Sequence, residues 1–148
     1  MLSARTVARY FLTKVDEDAG DSISNLKLQK LVYYAHAYHL AMHGEPLIPE
    51  RIEAWEHGPV IPELYRSYKQ HGSQPIPAPD DFDQREYDER TRELLDEIHE
   101  VFGQYSAAKL RNLTHAERPW AEAYADGARG RVITDDAMRD FYKEFVTE

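Results

Sequence analysis

The chain contains no cysteine among its 148 residues. Disulfides, thiolate catalysis, cysteine-ligated zinc and iron–sulfur chemistry are therefore excluded. No apolar run approaches the roughly 20 residues a membrane-spanning helix needs. The start, Met1 to Lys14, lacks the basic, apolar and cleavage regions of a signal peptide. These absences lead us to expect a soluble cytoplasmic protein without membrane contact. A basic surplus is missing too: 18 Lys and Arg face 27 Asp and Glu, a formal net charge of -9. Nucleic-acid binding, which needs a basic face, is not expected. No G-x-S-x-G, P-loop or G-x-G-x-x-G string occurs, so nucleophilic and nucleotide-dependent enzymes lose their usual signatures.

What is present is ordinary globular composition, 42% apolar and 30% charged, with ten tyrosines and two tryptophans. Domains of about 100–150 residues are the commonest size, so residues 1–148 are expected to form one domain. Ser3 suits the N-cap of a first helix to about Val15, with Val7, Ala8, Phe11, Leu12 and Val15 on one face. Asp16 to Ser22 reads as a loop. Ser24 caps a second helix from Asn25 to about His43, apolar on nearly every face and hence central, and Gly44 ends it. A strand is expected within Arg51–His57, then a helix from Pro62 to His71. A long helix is expected from about Asp83 to Phe102, with Tyr87 on its apolar stripe and a charged opposite face. Ser106 opens a short helix with a Tyr105–Leu110 staple. Pro119 opens another through Tyr124, ended by Asp126-Gly127. Arg131–Ile133 suits a brief strand, and Thr134 caps a last helix carrying Met138, Phe141, Tyr142 and Phe145. The expected fold is mainly α, a compact bundle of about six helices with a small β element.

The densest local information lies in Trp55-Glu56-His57-Gly58-Pro59-Val60-Ile61-Pro62-Glu63-Leu64-Tyr65. Gly58 permits backbone angles other residues resist, Pro59 biases Gly58 away from the helical region, and Pro62 suits a first helical turn. The string predicts a joint that turns an extended segment into a helix. Around it Trp55, Gly58, Pro59, His115, Pro119 and Trp120 are expected to be mainly architectural. Three histidines, His36, His39 and His43, share one face of the second helix at metal-ligand spacing. The zincin pattern requires Glu after the first His, where Ala37 stands, so no metal site is expected. His115-Ala116-Glu117 matches the H-x-E half of a zinc deaminase, but that chemistry also requires P-C-x-x-C. No catalytic residue and no cofactor are assigned. An alternative enzyme reading is a metal- or His-assisted hydrolase using His57 and His115.

Four segments in register carry a family resemblance: Val7–Leu12, Leu26–Ala35 (LKLQKLVYYA), Gly44–Leu47 with Ile52–Val60, and Leu113–Trp120. Together they make the chain resemble the Panacea domain of SocA-like antitoxins and phage-associated proteins. The resemblance implies a mostly helical domain with a small sheet element. It implies an antitoxin of a toxin–antitoxin system that binds and neutralises a toxin encoded beside it. A proteolytic adaptor, delivering the toxin to a ClpXP-type protease, is the alternative it implies. The expected partner is thus a cognate toxin, with a ClpXP-type protease in the adaptor case. For the contact surface we expect Tyr65 and Tyr68 on the helix after Pro62, with Glu56 and His57 of the adjoining turn.

Overall fold

The computed structural model describes residues 1–15, 21–125 and 130–146. Its architecture is mainly α-helical with a small three-stranded sheet. Helix α1 (Ala4–Leu12) is followed by the long α2 (Asn25–His43). A hairpin of β1 (Glu53–Trp55) and β2 (Gly58–Val60) leads into α3 (Pro62–Tyr68), whose last turn tightens into a 3-10 turn at Lys69–His71. Then come α4 (Glu89–Phe102), α5 (Ala107–His115), α6 (Arg118–Ala123), β3 (Arg131–Val132) and α7 (Asp135–Tyr142).

Helix α2 is the axis of the molecule. Its apolar side chains surround it rather than forming one stripe, and Leu28, Leu31, Val32, Tyr33, Tyr34, Ala35 and Ala37 are all fully buried. Neighbours α1, α3, α4, α5, α7 and β2 each pack against it, α7 most extensively. Ser24 accepts the Lys27 N–H at its start, and Gly44 closes its end at φ 71°, the left-handed geometry a glycine suits.

Three expectations are corrected. Helix α1 stops at Leu12 rather than Val15. The Thr13 hydroxyl donates to the Tyr10 carbonyl at 2.6 Å, a local bond that competes with helix continuation. The helix expected from Asp83 starts at Glu89. Asp83 caps a separate 3-10 turn, Gln84–Glu86, and Asp88 caps α4 by accepting the Thr91 N–H at 2.8 Å. Between the two caps Tyr87 is extended and buried, its hydroxyl donating to the Thr6 carbonyl. The Gly58-Pro59 joint is a strand: Trp55 pairs with Gly58, Ala54 with Pro59 and Glu53 with Val60. The strand order β2-β1-β3 puts β2 on an edge, where a proline's missing N–H breaks no ladder. The expected Asp126-Gly127 stop and most of the Asp16–Ser22 loop lie outside the described residues.

Candidate partner-binding site

The segments of the second, third and fourth motifs are far apart in sequence and meet at the hairpin. Lys30 of α2, Gly58 of β2 and Thr114 of α5 form a close junction. A Cβ on Gly58 would stand 3.1 Å from both Lys30 Cε and Thr114 Oγ1, and the residue adopts φ +117°. Glycine is required there by approach and by backbone geometry together. The Trp120 indole, 9% exposed, donates its N–H to the Trp55 carbonyl at 2.8 Å and anchors α6 to β1. His115 lies flat on that indole at 3.8 Å and 6°, and Tyr124 stacks with the indole at 4.8 Å. Buried Pro119 starts the helix that carries Trp120.

A polar relay connects α2 to the start of α3. Asn25 donates to the Tyr65 carbonyl, Gln29 donates to Asn25 Oδ1, and Gln29 Oε1 accepts the Ile61 N–H at 2.9 Å. Ile61 has no side-chain cap to offer α3, so buried Gln29 satisfies one of the groups the turn would leave open.

These supports present a cavity of about 400 Å³ beside the hairpin turn, lined by Leu26, Trp55, Glu56, His57, Val60 and Tyr65 together with Gly130. The Trp55 ring meets Tyr65 edge-on at 5.2 Å and its N–H donates to Glu53 at 3.0 Å. Three of the residues expected at a contact surface, Glu56, His57 and Tyr65, therefore share one cavity. Tyr68 does not join them. It is 8% exposed and belongs to the core, because it lies four positions after buried Leu64 on the inward face of α3, whereas Tyr65 sits at the edge of that face. Trp55, expected to be architectural, supplies wall as well as support.

The charge pattern behind the hairpin was missed in the sequence. Lys30 is 1% exposed, and its ammonium donates only to the Leu26 carbonyl at 3.2 Å among the described residues. It has no carboxylate partner among them. Burial, helped by the nearby Arg111 charge, brings its pKa down to about 8. His115 is held down by burial and by the same cations. Arg111 Nε and His115 Nε2 are buried without a hydrogen-bond partner among the described residues. The available signal was helical phase: Lys30 precedes Tyr34 and Ala37 by four and seven positions, on a helix apolar on nearly every face.

Glu117 is a second missed residue. Its Oε1 accepts the hydroxyls of Tyr34 and Tyr142, both at 2.8 Å. Since Tyr142 has given away its only proton, the Tyr33 hydroxyl donates to the Tyr142 oxygen at 2.9 Å. Burial pushes the Glu117 carboxyl up and the three tyrosines with it.

The histidine row on α2 is engaged in structure. His36 Nδ1 accepts the Leu47 and Ile48 N–H groups at 3.3 Å each, so its Nε2–H donates to Asp135 at 2.9 Å. His39 Nδ1 meets the Glu45 carbonyl at 2.6 Å. No group of three His, Asp or Glu side chains among the described residues is placed to hold a metal ion. His57 is exposed in the turn, and neither it nor His115 hydrogen-bonds a hydroxyl or carboxylate among the described residues. No helix among the described residues is long and apolar enough to cross a membrane.

The fold is thus mainly helical, built on one buried central helix, with three sequence segments meeting at a hairpin. The model for "Antitoxin SocA-like, Panacea domain" matches residues 28–121, which span this whole junction. Antitoxin SocA of Caulobacter vibrioides (strain NA1000 / CB15N) is 33% identical over 165 residues, covering 96% of this chain and 83% of that protein. The chain belongs to the SocA-like antitoxin, Panacea-domain family. No solved structure matches it.

Proposed function

We propose that this chain is an antitoxin that neutralises a toxin encoded beside it by direct contact, in the cytoplasm, without cofactor or nucleic acid. The observation that carries the contact surface is the cavity at the hairpin turn, where Trp55, Glu56, His57 and Tyr65 converge. Tyr68 backs that surface from the core. Aromatic side chains fixed by packing lose little freedom on binding, which suits them as anchors. The acidic balance of the chain favours a toxin with a basic surface, and association should then slow as salt rises.

Co-expression with the neighbouring gene product, followed by pull-down and a growth assay, tests the proposal. A stable complex and restored growth are expected. Tyr65→Ala and His57→Ala should weaken both while leaving the circular dichroism of the chain unchanged. A harmless neighbouring product, or neutralisation without a detectable complex, would refute the reading. Protection that disappears only when a ClpXP-type protease is removed would select the adaptor mechanism.

A further inference from the structure

Of the exposed large apolar side chains among the described residues, Met1, Leu26 and Val132 lie apart, whereas three others gather in one place. Met42 of α2, Val101 of α4 and Phe145 of the 3-10 turn Lys143–Phe145 after α7 are 43%, 45% and 56% exposed. All three line a single groove of about 280 Å³, with Tyr38 and Phe102 at its floor. It shares no residue with the hairpin cavity.

The floor is rigid. Phe102 stacks on Tyr34 at 4.1 Å with 3° between the rings, and Glu117 holds the Tyr34 hydroxyl. Tyr38 packs against Phe102 and Tyr142 at 5.9 and 5.2 Å. The walls are adaptable, since Met42 has an unbranched, polarisable side chain. The groove is formed by side chains of α2, α4 and the chain just after α7. It runs between helices and offers no free strand edge, so the match is to side chains spaced along a helix.

Charge selects among helices. Glu97 lines the groove, and Glu93 and Glu100 stand exposed beside it on the same helix. Glu144 precedes Phe145. None of the four has an ion-pair partner among the described residues. We propose that this groove docks an amphipathic helix of a partner protein, with apolar residues one turn apart seated between Met42, Val101 and Phe145 and flanking Lys or Arg side chains facing Glu93, Glu97 and Glu100. The inference deepens the reading of the chain as a protein-binding module but does not depend on the hairpin surface.

The test uses the full chain and a synthetic 16-residue helical peptide with leucines at i, i+4 and i+7 and lysines on either flank, followed by fluorescence anisotropy. Saturable binding is expected. A scrambled peptide of the same composition, and a version with Glu for Lys, should each bind at least tenfold more weakly. Val101→Asp should also weaken binding at least tenfold although it adds negative charge, a change that would strengthen a purely electrostatic association. Met42→Asp on the other wall should do the same, and Glu93→Lys with Glu97→Lys should reverse the preference between the Lys and Glu peptides. These positions are exposed, so the variants are expected to fold, and Tyr65→Ala at the hairpin should leave peptide affinity unchanged. Absence of saturable binding, or affinity unaffected by Val101→Asp, would overturn the proposal. Self-association of the chain abolished by Phe145→Asp would assign the groove to a second copy and overturn it as well. Toxin capture plays no part in this measurement, so its outcome stands apart from that of the neutralisation assay.

Discussion

The Trp120 indole donates to the Trp55 carbonyl across 65 residues of sequence, at 2.8 Å. That single bond joins the hairpin to the late helices, and the His115 ring covers the same indole. Trp120→Ala removes the bond, the stack and the buried area together. It is expected to destabilise the chain by about 3–5 kcal/mol, which lowers the melting temperature by on the order of 10 °C for a domain of this size. Trp120→Phe keeps a ring against His115 and should recover more than half of the loss. A Trp120→Ala variant that melts normally but no longer captures its partner would instead make Trp120 a contact residue.

Lys30 gives a testable pH dependence. Its folded pKa, about 8, lies below the 10.5 of an ordinary lysine. Between those values the unfolded chain holds a proton that the folded chain has released. Stability therefore rises with pH across that window, and below about 8 the buried ammonium carries its full penalty, about 3 kcal/mol by linkage. Lys30→Met should raise stability at pH 7 and flatten the urea-unfolding profile between pH 8 and 10. Above about 10 the tyrosines act oppositely, because Tyr33, Tyr34 and Tyr142 keep their protons in the fold longer than in the unfolded chain. A loss of stability at pH 7 on Lys30→Met would contradict this account.

Glu117 is tested by comparing two substitutions. Glu117→Ala strands the Tyr34 and Tyr142 hydroxyls, and leaving a buried donor unpaired costs about 1–3 kcal/mol each. Glu117→Gln keeps an acceptor oxygen and should retain most of the stability. The measurement is chemical denaturation at pH 7. Equal losses in both variants would show that charge, rather than hydrogen bonding, holds the tyrosines.

Much of the helical frame was legible in the sequence because it is encoded locally. Ser3, Ser24, Ser106 and Thr134 each accept the N–H three positions on, as their places before apolar periodic runs suggest. The hairpin was not legible: β2 is three residues long, one of them proline, and its register depends on contacts with Lys30 and Thr114. The start of α4 was ambiguous because Asp83 and Asp88 are both competent caps, and burial of Tyr87 decided between them. At the candidate site, Glu56, His57 and Tyr65 were adjacent enough to be grouped by sequence alone. Tyr68 fell inward because a helix turns three residues of separation into neighbouring but distinct directions. Lys30 was assigned no role and Glu117 entered as part of an incomplete H-x-E string, since the groups that surround them come from other elements.

Acid should weaken the fold from the histidines. Burial lowers the pKa of His36, His39, His43, His99 and His115. As pH falls through about 6.5 the unfolded chain takes up protons that the fold resists, so stability declines. His36 is the clearest contributor, because its Nδ1 lone pair is used by the Leu47 and Ile48 N–H groups. Denaturation midpoints at pH 7.5 and 5.5 should differ, and His36→Gln should shrink the difference. A pH-independent midpoint in the parent chain would refute the assignment.

The Tyr33 and Tyr142 hydroxyls meet across 109 residues, and β1 pairs with β3 from the far end of the chain. Closing such separations carries an entropic cost that local helix formation does not repay, so non-local structure completes late. On the ribosome, α2 emerges early but cannot be enclosed until residues through Tyr142 have followed. A nascent or interrupted chain therefore shows the tyrosine-rich surface of α2 to chaperones and proteases. The supply of folded protein is set by completed chains, and any pause in translation ahead of α7 lengthens the interval during which α2 stays uncovered.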